Sequence, residues 1–155
     1  MIERIRLTNN EEALRVLRLQ MDSYLVEAKR IEYDDIPPLK DTIASLMESK
    51  ERFYGYFPEG TDGELSGAIA YEREGQTVTI CRLMVRSDRF RQGIGSALLR
   101  FIEQQEQECT SFFVTAAAKN EPAIRLYTKH GYVEESRREV APGLVLLRLV
   151  KTVPR

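Results

Sequence analysis

The chain has 155 residues, with 23 lysines and arginines against 24 aspartates and glutamates and a formal net charge of −1. That balance argues against nucleic acid or an anionic membrane as a partner recognised by bulk charge, and no apolar run approaches the 18 residues of a spanning helix. Hydrophobic residues at 43% and charged ones at 30% suit one globular domain over 1–155, able to bury a core without disulfides or a metal.

The charged start at 1–6 has no apolar signal segment, so a cytoplasmic location is expected. Cys81 and Cys109 lack metal-ligand spacing, and with one histidine in the chain no metal is expected; both read as reduced thiols. Ile2, Ile5 and Leu7 form a short strand-like pattern, and Thr8, Asn9, Asn10, Glu11 and Glu12 then supply cap residues for a helix. Leu14, Leu17, Met21, Tyr24 or Leu25, and Ala28 recur at three- and four-residue spacing, which predicts an amphipathic helix of about five turns. Pro37 and Pro38 break it after an acidic loop. A shorter helix is expected over 39–49, with Ile43, Leu46 and Met47 on its apolar face.

Residues 52–57 read as a strand ended by turn residues at 58–63. Two more strands follow at 65–71 and 77–85, joined by a hairpin at Gly75. In the helix that opens near Gly93, Ile94, Ala97, Leu98, Phe101, Ile102 and Gln105 share one face, which predicts packing on a sheet. A strand over 112–118 has small residues that leave room beside it. Asn120 then caps a helix with Pro122 in its first turn and Gly131 just past its end. Strands at 132–136 and 144–150 close the chain around an Ala141, Pro142, Gly143 turn. The order β-α-α-β-β-β-α-β-α-β-β predicts an α/β (α+β) fold: a mixed, mostly antiparallel sheet of about seven strands flanked by about four helices.

The stretch 85–99 carries the first functional signal. A strand ends at Val85, three arginines follow, and Gly93 and Gly95 lead into a helix. The first turn of a helix has backbone N–H groups without intrahelical partners, reinforced by the helix dipole, and glycine lets an anion approach closely. No carboxylate falls between Arg89 and Phe101. Either this is an anion cradle or it is a turn before an ordinary amphipathic helix. The third glycine of the dinucleotide fingerprint is missing, and Gly-Lys-Ser/Thr does not occur.

Two pieces of the chain resemble the GNAT superfamily of N-acetyltransferases. The cofactor loop of that family, Q/R-x-x-G-x-G/A between a strand and a helix, is similar to 90–95. Its second signature, N-x-x-A-x-x-L-Y-x-x-x-G-F/Y, is matched by Asn120, Ala123, Leu126, Tyr127, Gly131 and Tyr132. The likeness covers nearly the whole chain and is tightest over 80–132. There are two departures: Phe90 holds the Q/R position, between Arg89 and Arg91, and Thr79 stands where some relatives carry a glutamate as general base.

The resemblance implies acetyl-CoA as donor and a primary amine, small or on a protein, as acceptor, with direct transfer between them and a possible homodimer. Backbone N–H groups of Arg91, Gln92, Gly93, Ile94 and Gly95, with the Ser96 hydroxyl, would hold the pyrophosphate. Pantetheine would pair like an added strand with Leu83, Met84 and Val85. Tyr127 would protonate the departing thiolate, its bland alternative being a core aromatic, and Asn120 is either a plain helix cap or one that also bonds pantetheine. Glu32, Tyr33, Asp34 and Asp35, together with Glu27, either present negative charge to a cationic acceptor or form a solvated acidic loop. Cys81 reads as a small core residue rather than a nucleophile, and His130 as a helix-end residue. A non-catalytic acyl-CoA-binding or sensing module on the same fold is the alternative function, and a different nucleotide-binding α/β protein is a third.

Overall fold

One continuous hydrogen-bonded sheet carries the molecule. In the computed structural model, which describes residues 1–60 and 63–155, the strands are β1 (Ile2–Ile5), β2 (Arg52–Tyr56), β3 (Gly67–Glu74), β4 (Thr77–Val85), β5 (Ser111–Ala117), β6 (Val133–Ala141) and β7 (Leu144–Thr152). They lie in the order β1-β2-β3-β4-β5-β7-β6. The expected sheet is therefore present, and the α/β class with it. Thr61 and Asp62, part of the turn expected at 58–63, lie outside the described residues.

Every neighbouring pair is antiparallel except β4 and β5. That parallel ladder runs only from Thr77↔Ser111 to Ile80↔Val114. Beyond it β4 continues to Val85 and β5 to Ala117 without pairing to each other, so the middle of the sheet opens into a fork. A β-bulge sits at the fork: Ala70 faces Arg82 but Tyr71 faces Ile80, which leaves Cys81 as the extra residue. A bulge increases local twist and re-aims the strand that carries it, which helps the two strands diverge.

Four helices cover the sheet: α1 (Asn10–Ile31), α2 (Ile43–Glu48), α3 (Ile94–Gln105) and α4 (Glu121–Lys129). Strand alternation divides the core. Ile69 and Tyr71 join Leu98, Leu99, Ile102 and Tyr127 on one face. Ala68 and Ala70 join Val16, Leu19 and Leu46 on the other.

Asn9 caps α1, its side chain accepting the Glu12 N–H at 2.9 Å, and the helix runs 22 residues, about a turn beyond expectation. Its inner stripe is Ala13, Val16, Gln20, Tyr24, Ala28 and Ile31, not the one through Leu14, Leu17 and Met21. Gln20 causes the difference. Fully buried, it donates to the Pro38 carbonyl and to Asp41 and accepts from Arg82, so a polar residue occupies the core side. The helix expected over 39–49 is a 3-10 turn at Pro37–Lys40 followed by a short α2, because Thr42 and Ser45 form a capping box that starts a new helix.

Candidate active site

The fork between β4 and β5 opens on a cavity of about 1100 Å³, walled by the second half of α1, the start of α3, the start of α4 and the β6–β7 hairpin. The loop from β4 into α3 forms one end. Arg91 and Gly93 both adopt left-handed backbone, with φ of 66° and 80°, folding the loop tightly before the helix. Gly93 is the N-cap and offers no side-chain acceptor, and the first return bond runs from the Ala97 N–H to the Gly93 carbonyl. Ile94, Gly95 and Ser96 line the cavity end, and their N–H groups have no intrahelical partners.

The two glycines have different duties. Gly93 is needed for its positive φ. A Cβ on Gly95 would lie 3.1 Å from Leu126 Cδ2, so Gly95 lets α3 and α4 pack closely, a role distinct from the anion approach read from the sequence.

The loop is fixed from outside. Asp22 of α1 accepts the Ser87 N–H at 2.7 Å and the Ser87 hydroxyl at 2.8 Å, and Glu64 pairs with Arg86 at 2.8 Å and Arg89 at 2.9 Å. Arg89 is thereby partly neutralised. Arg91 borders the cavity and makes no ion pair among the described residues, so it is the arginine neighbour of Phe90 left to meet an anion. Phe90 lies half-exposed at the rim. Gln92 is exposed outside the cavity lining, which leaves its expected contact unsupported. The Ser96 hydroxyl, 2.9 Å from His130 Nε2, joins α3 to the end of α4. Burial, with Arg100 and Lys151 beside it, lowers the His130 pKa and favours the neutral ring.

Leu83 and Val85 border the cavity on the unpaired side of β4, whereas Met84 points into the core and is fully buried. The Val85 N–H donates to Ser23 Oγ at 3.3 Å, and the Leu83 backbone hydrogen-bonds the Tyr24 hydroxyl. These edge groups face side chains where another strand would otherwise pair. Neither Ser23 nor Tyr24 was expected at the site; the only signal was Tyr24 in the α1 stripe.

Tyr127 projects from α4 into the same space. Its ring is buried against Tyr132, with centroids 5.8 Å apart, and its hydroxyl has no hydrogen-bond partner among the described residues. Burial, then the neighbouring Tyr24 and Glu27, push its pKa far up, so the phenol stays protonated. Asn120 caps α4 by accepting the Ala123 N–H at 3.4 Å, while its Nδ2 donates to Glu27 Oε1 at 2.6 Å. It is both a cap and a cavity residue.

The acidic loop divides. Tyr33 and Asp35 border the cavity, but Asp35 is paired with Lys40 at 2.6 Å; Glu32 and Asp34 are exposed outside it, Glu32 lying 3.9 Å from Lys119. The expectation for Glu32 and Asp34 thus has no support in the cavity geometry, because α1 runs on to Ile31 and carries them past the opening. Cys81 is exposed along the wall rather than in the core, since the bulge turns it outward. Partial burial, together with Glu51 and Glu72, pushes its thiol up to about 12, leaving no thiolate for a nucleophile at neutral pH. Thr79 is exposed and does not border the cavity.

A forked sheet, an uncapped helix start and a phenol facing the fork define the fold and site plan of an acetyltransferase class. Residues 10–132 match the model of the acetyltransferase (GNAT) family, and the chain belongs to that family. A curated relative, the UPF0157 protein YqkA of Bacillus subtilis (strain 168), is 37% identical over 146 residues, covering 94% of this chain and 42% of the relative. The chain therefore spans less than half the length of the curated relative it matches. In fold it is similar to the ribosomal-protein-S18-alanine N-acetyltransferase from Escherichia coli, with a TM-score of 0.77 and 14% identity over 100% of this chain and 94% of that one. An aminoglycoside 6'-N-acetyltransferase complexed with coenzyme A gives a TM-score of 0.74 and 16% identity over 100% of this chain and 98% of the other. Among the described residues no helix is long and apolar enough to cross a membrane.

Proposed function

We propose that this chain is an N-acetyltransferase that moves the acetyl group of acetyl-CoA directly to a primary amine, and that it works in the cytoplasm. The observation that carries the reading is the convergence, on one cavity, of a strand edge left unpaired by the fork, an uncapped helix start and the buried Tyr127 hydroxyl. The residues present fit the donor. The α3 N–H groups and Arg91 suit a pyrophosphate, because N–H groups at a helix start and a guanidinium both stabilise phosphate charge. Leu83 and Val85 offer backbone groups to an extended, amide-bearing arm that displaces the Ser23 and Tyr24 hydroxyls from them. When bound, acetyl-CoA supplies an activated acyl carbon on a good leaving group.

The chain's own residues have three tasks: to hold the donor along β4, to free the amine of its proton, and to return a proton to sulfur. An alkylammonium has a pKa near 10 and no lone pair to attack with. Tyr127, held protonated by its surroundings, suits the last task. Coupled thiol-release measurements with acetyl-CoA and a panel of amines test the reading, with calorimetric titration of acetyl-CoA alongside. Turnover with at least one amine is expected; no turnover and no acetyl-CoA binding would overturn it. Thr79, lying outside the cavity, favours a second reading, an acyl-CoA-binding module without catalysis. Binding without turnover on any amine would select that one.

A further inference from the structure

Two carboxylates border the cavity among the described residues, Glu27 and Asp35. Asp35 is already matched by Lys40 at 2.6 Å on the exposed rim. Glu27 differs: it lies on the inner side of α1, one turn after Tyr24, and Asn120 Nδ2 donates to its Oε1 at 2.6 Å. Its other oxygen makes no hydrogen bond among the described residues, and no salt bridge engages it. It is also close enough to the Tyr24 and Tyr127 hydroxyls for its charge to raise the pKa of both. A carboxylate clamped by one oxygen and free at the other, lining the same cavity as a protonated phenol, is arranged to receive a cation there.

On this basis, and resting on the acetyl-transfer reading, we propose that Glu27 binds the acceptor's ammonium and takes its proton, and that the acceptor is a primary monoamine carried on an apolar body. Burial raises the Glu27 pKa, which narrows the gap to an ammonium; a shared desolvated site lowers the ammonium's own pKa as well. In the step, Glu27 accepts one proton from the ammonium and releases it to solvent. The freed nitrogen forms a bond to the acyl carbon as the carbon–sulfur bond breaks. Tyr127 gives its proton to sulfur, and the second proton on nitrogen restores the phenol. The net products are the acetylamide, the thiol and one proton.

The restriction to a monoamine comes from the surroundings. Buried Tyr24, Ile31, Ile36 and Leu144 wall the same cavity as Glu27, and the cationic Arg30 of α1 borders it too, its charge acting on Glu27. A second ammonium would have this largely apolar wall, Arg30, or Asp35 already matched by Lys40 to face.

The test is calorimetric titration of 2-phenylethylamine, and separately of spermidine, into the full chain saturated with coenzyme A, for the wild type and Glu27→Gln. Gln keeps an oxygen for Asn120, and a thermal melt verifies that the variant is folded. We expect the wild type to bind 2-phenylethylamine more tightly than spermidine, and Glu27→Gln to lose at least about tenfold in that affinity with coenzyme A affinity unchanged. Where turnover is measured, kcat/KM should fall about 10²- to 10⁴-fold. Equal amine binding by wild type and variant, no binding of 2-phenylethylamine by the wild type, or a preference for spermidine would each overturn the proposal. Failure of coenzyme A to bind the wild type would instead overturn the acetyl-transfer reading on which it rests.

Discussion

Tyr127 has the burial of a core aromatic and the setting of an acid. Its ring packs on Tyr132, as a core residue's would, but its hydroxyl borders the cavity. Burial raises its pKa first, and Tyr24 and Glu27 add to the rise, so the phenol keeps its proton at neutral pH. Such a group can donate to a thiolate formed beside it, whereas Cys81, its thiol pushed up to about 12 at the same fork, stays inert. Tyr127→Phe removes one oxygen and keeps the ring packing. The variant should bind acetyl-CoA as the wild type does, while kcat falls roughly 10²-fold or more, the usual scale for loss of a general acid. Single-turnover kinetics with acetyl-CoA prebound measure this; an unchanged acyl-transfer rate would return Tyr127 to the role of a core aromatic.

At the scale of elements, Arg82 ties the site together. It leaves β4 just after the bulge, bonds Gln20 of α1 and Asp41 before α2 at 2.8 Å each, and pairs with Glu51 before β2 at 3.0 Å. Its guanidinium also lies over the Phe53 ring, 5.5 Å from the centroid. The side chains of Arg82 and Glu51 are 13% and 12% exposed, so removing the cation strands poorly solvated carboxylates. Arg82→Met should cost about 3 kcal/mol, the loss usual for breaking a buried pair from one side, and lower the melting temperature by roughly 6–12 °C in calorimetry. A shift below about 2 °C would show that α1 is held by its apolar stripe alone.

The same network explains what could be read from the chain and what could not. Gly93, Asn120 and Gly131 act on their own few residues, through a positive φ or a cap, so the cradle and α4 are legible in local spacing. The inner face of α1 is not, because Gln20 belongs there only by virtue of Arg82, far along the chain. Glu27 is legible only as one acid among those leading into the loop at 32–35: nothing near it in sequence sets it apart from them, and its partner Asn120 is 93 residues away. The GNAT signatures thus mark the loop into α3 and the start of α4, and the meeting of Glu27 with Asn120 emerges only from tertiary contacts.

Across the whole molecule, two carboxylates respond to folding in opposite directions, and this divides stability from function. Glu106, 3% exposed, loses hydration on burial, but hydrogen bonds from Tyr71 and Arg73 and the charge of Arg52 outweigh that loss and hold its pKa below the usual carboxylate value. A depressed folded pKa means stability that is present above the unfolded value and lost as pH falls through the folded one. Glu27 has the opposite sign: burial outweighs the Asn120 hydrogen bond and raises its pKa, so the folded state favours its protonated form at low pH and loses that advantage as pH rises through the raised value. Urea unfolding of the wild type, Glu106→Gln and Glu27→Gln at pH 7 and pH 4 separates the two. Glu106→Gln should be less stable than wild type by about 3 kcal/mol at pH 7, with the gap shrinking toward pH 4 as the carboxylate of the unfolded chain takes up its proton before the native one does. Glu27→Gln should be more stable than wild type at pH 7 by roughly 0.5–1 kcal/mol, and near parity at pH 4, because it removes a charge that folding must desolvate. A Glu27→Gln protein less stable than wild type at pH 7 would mean that the carboxylate supports the fold through Asn120. A more stable one would mark Glu27 as a charge kept at the expense of stability, as expected of a group that meets a substrate cation.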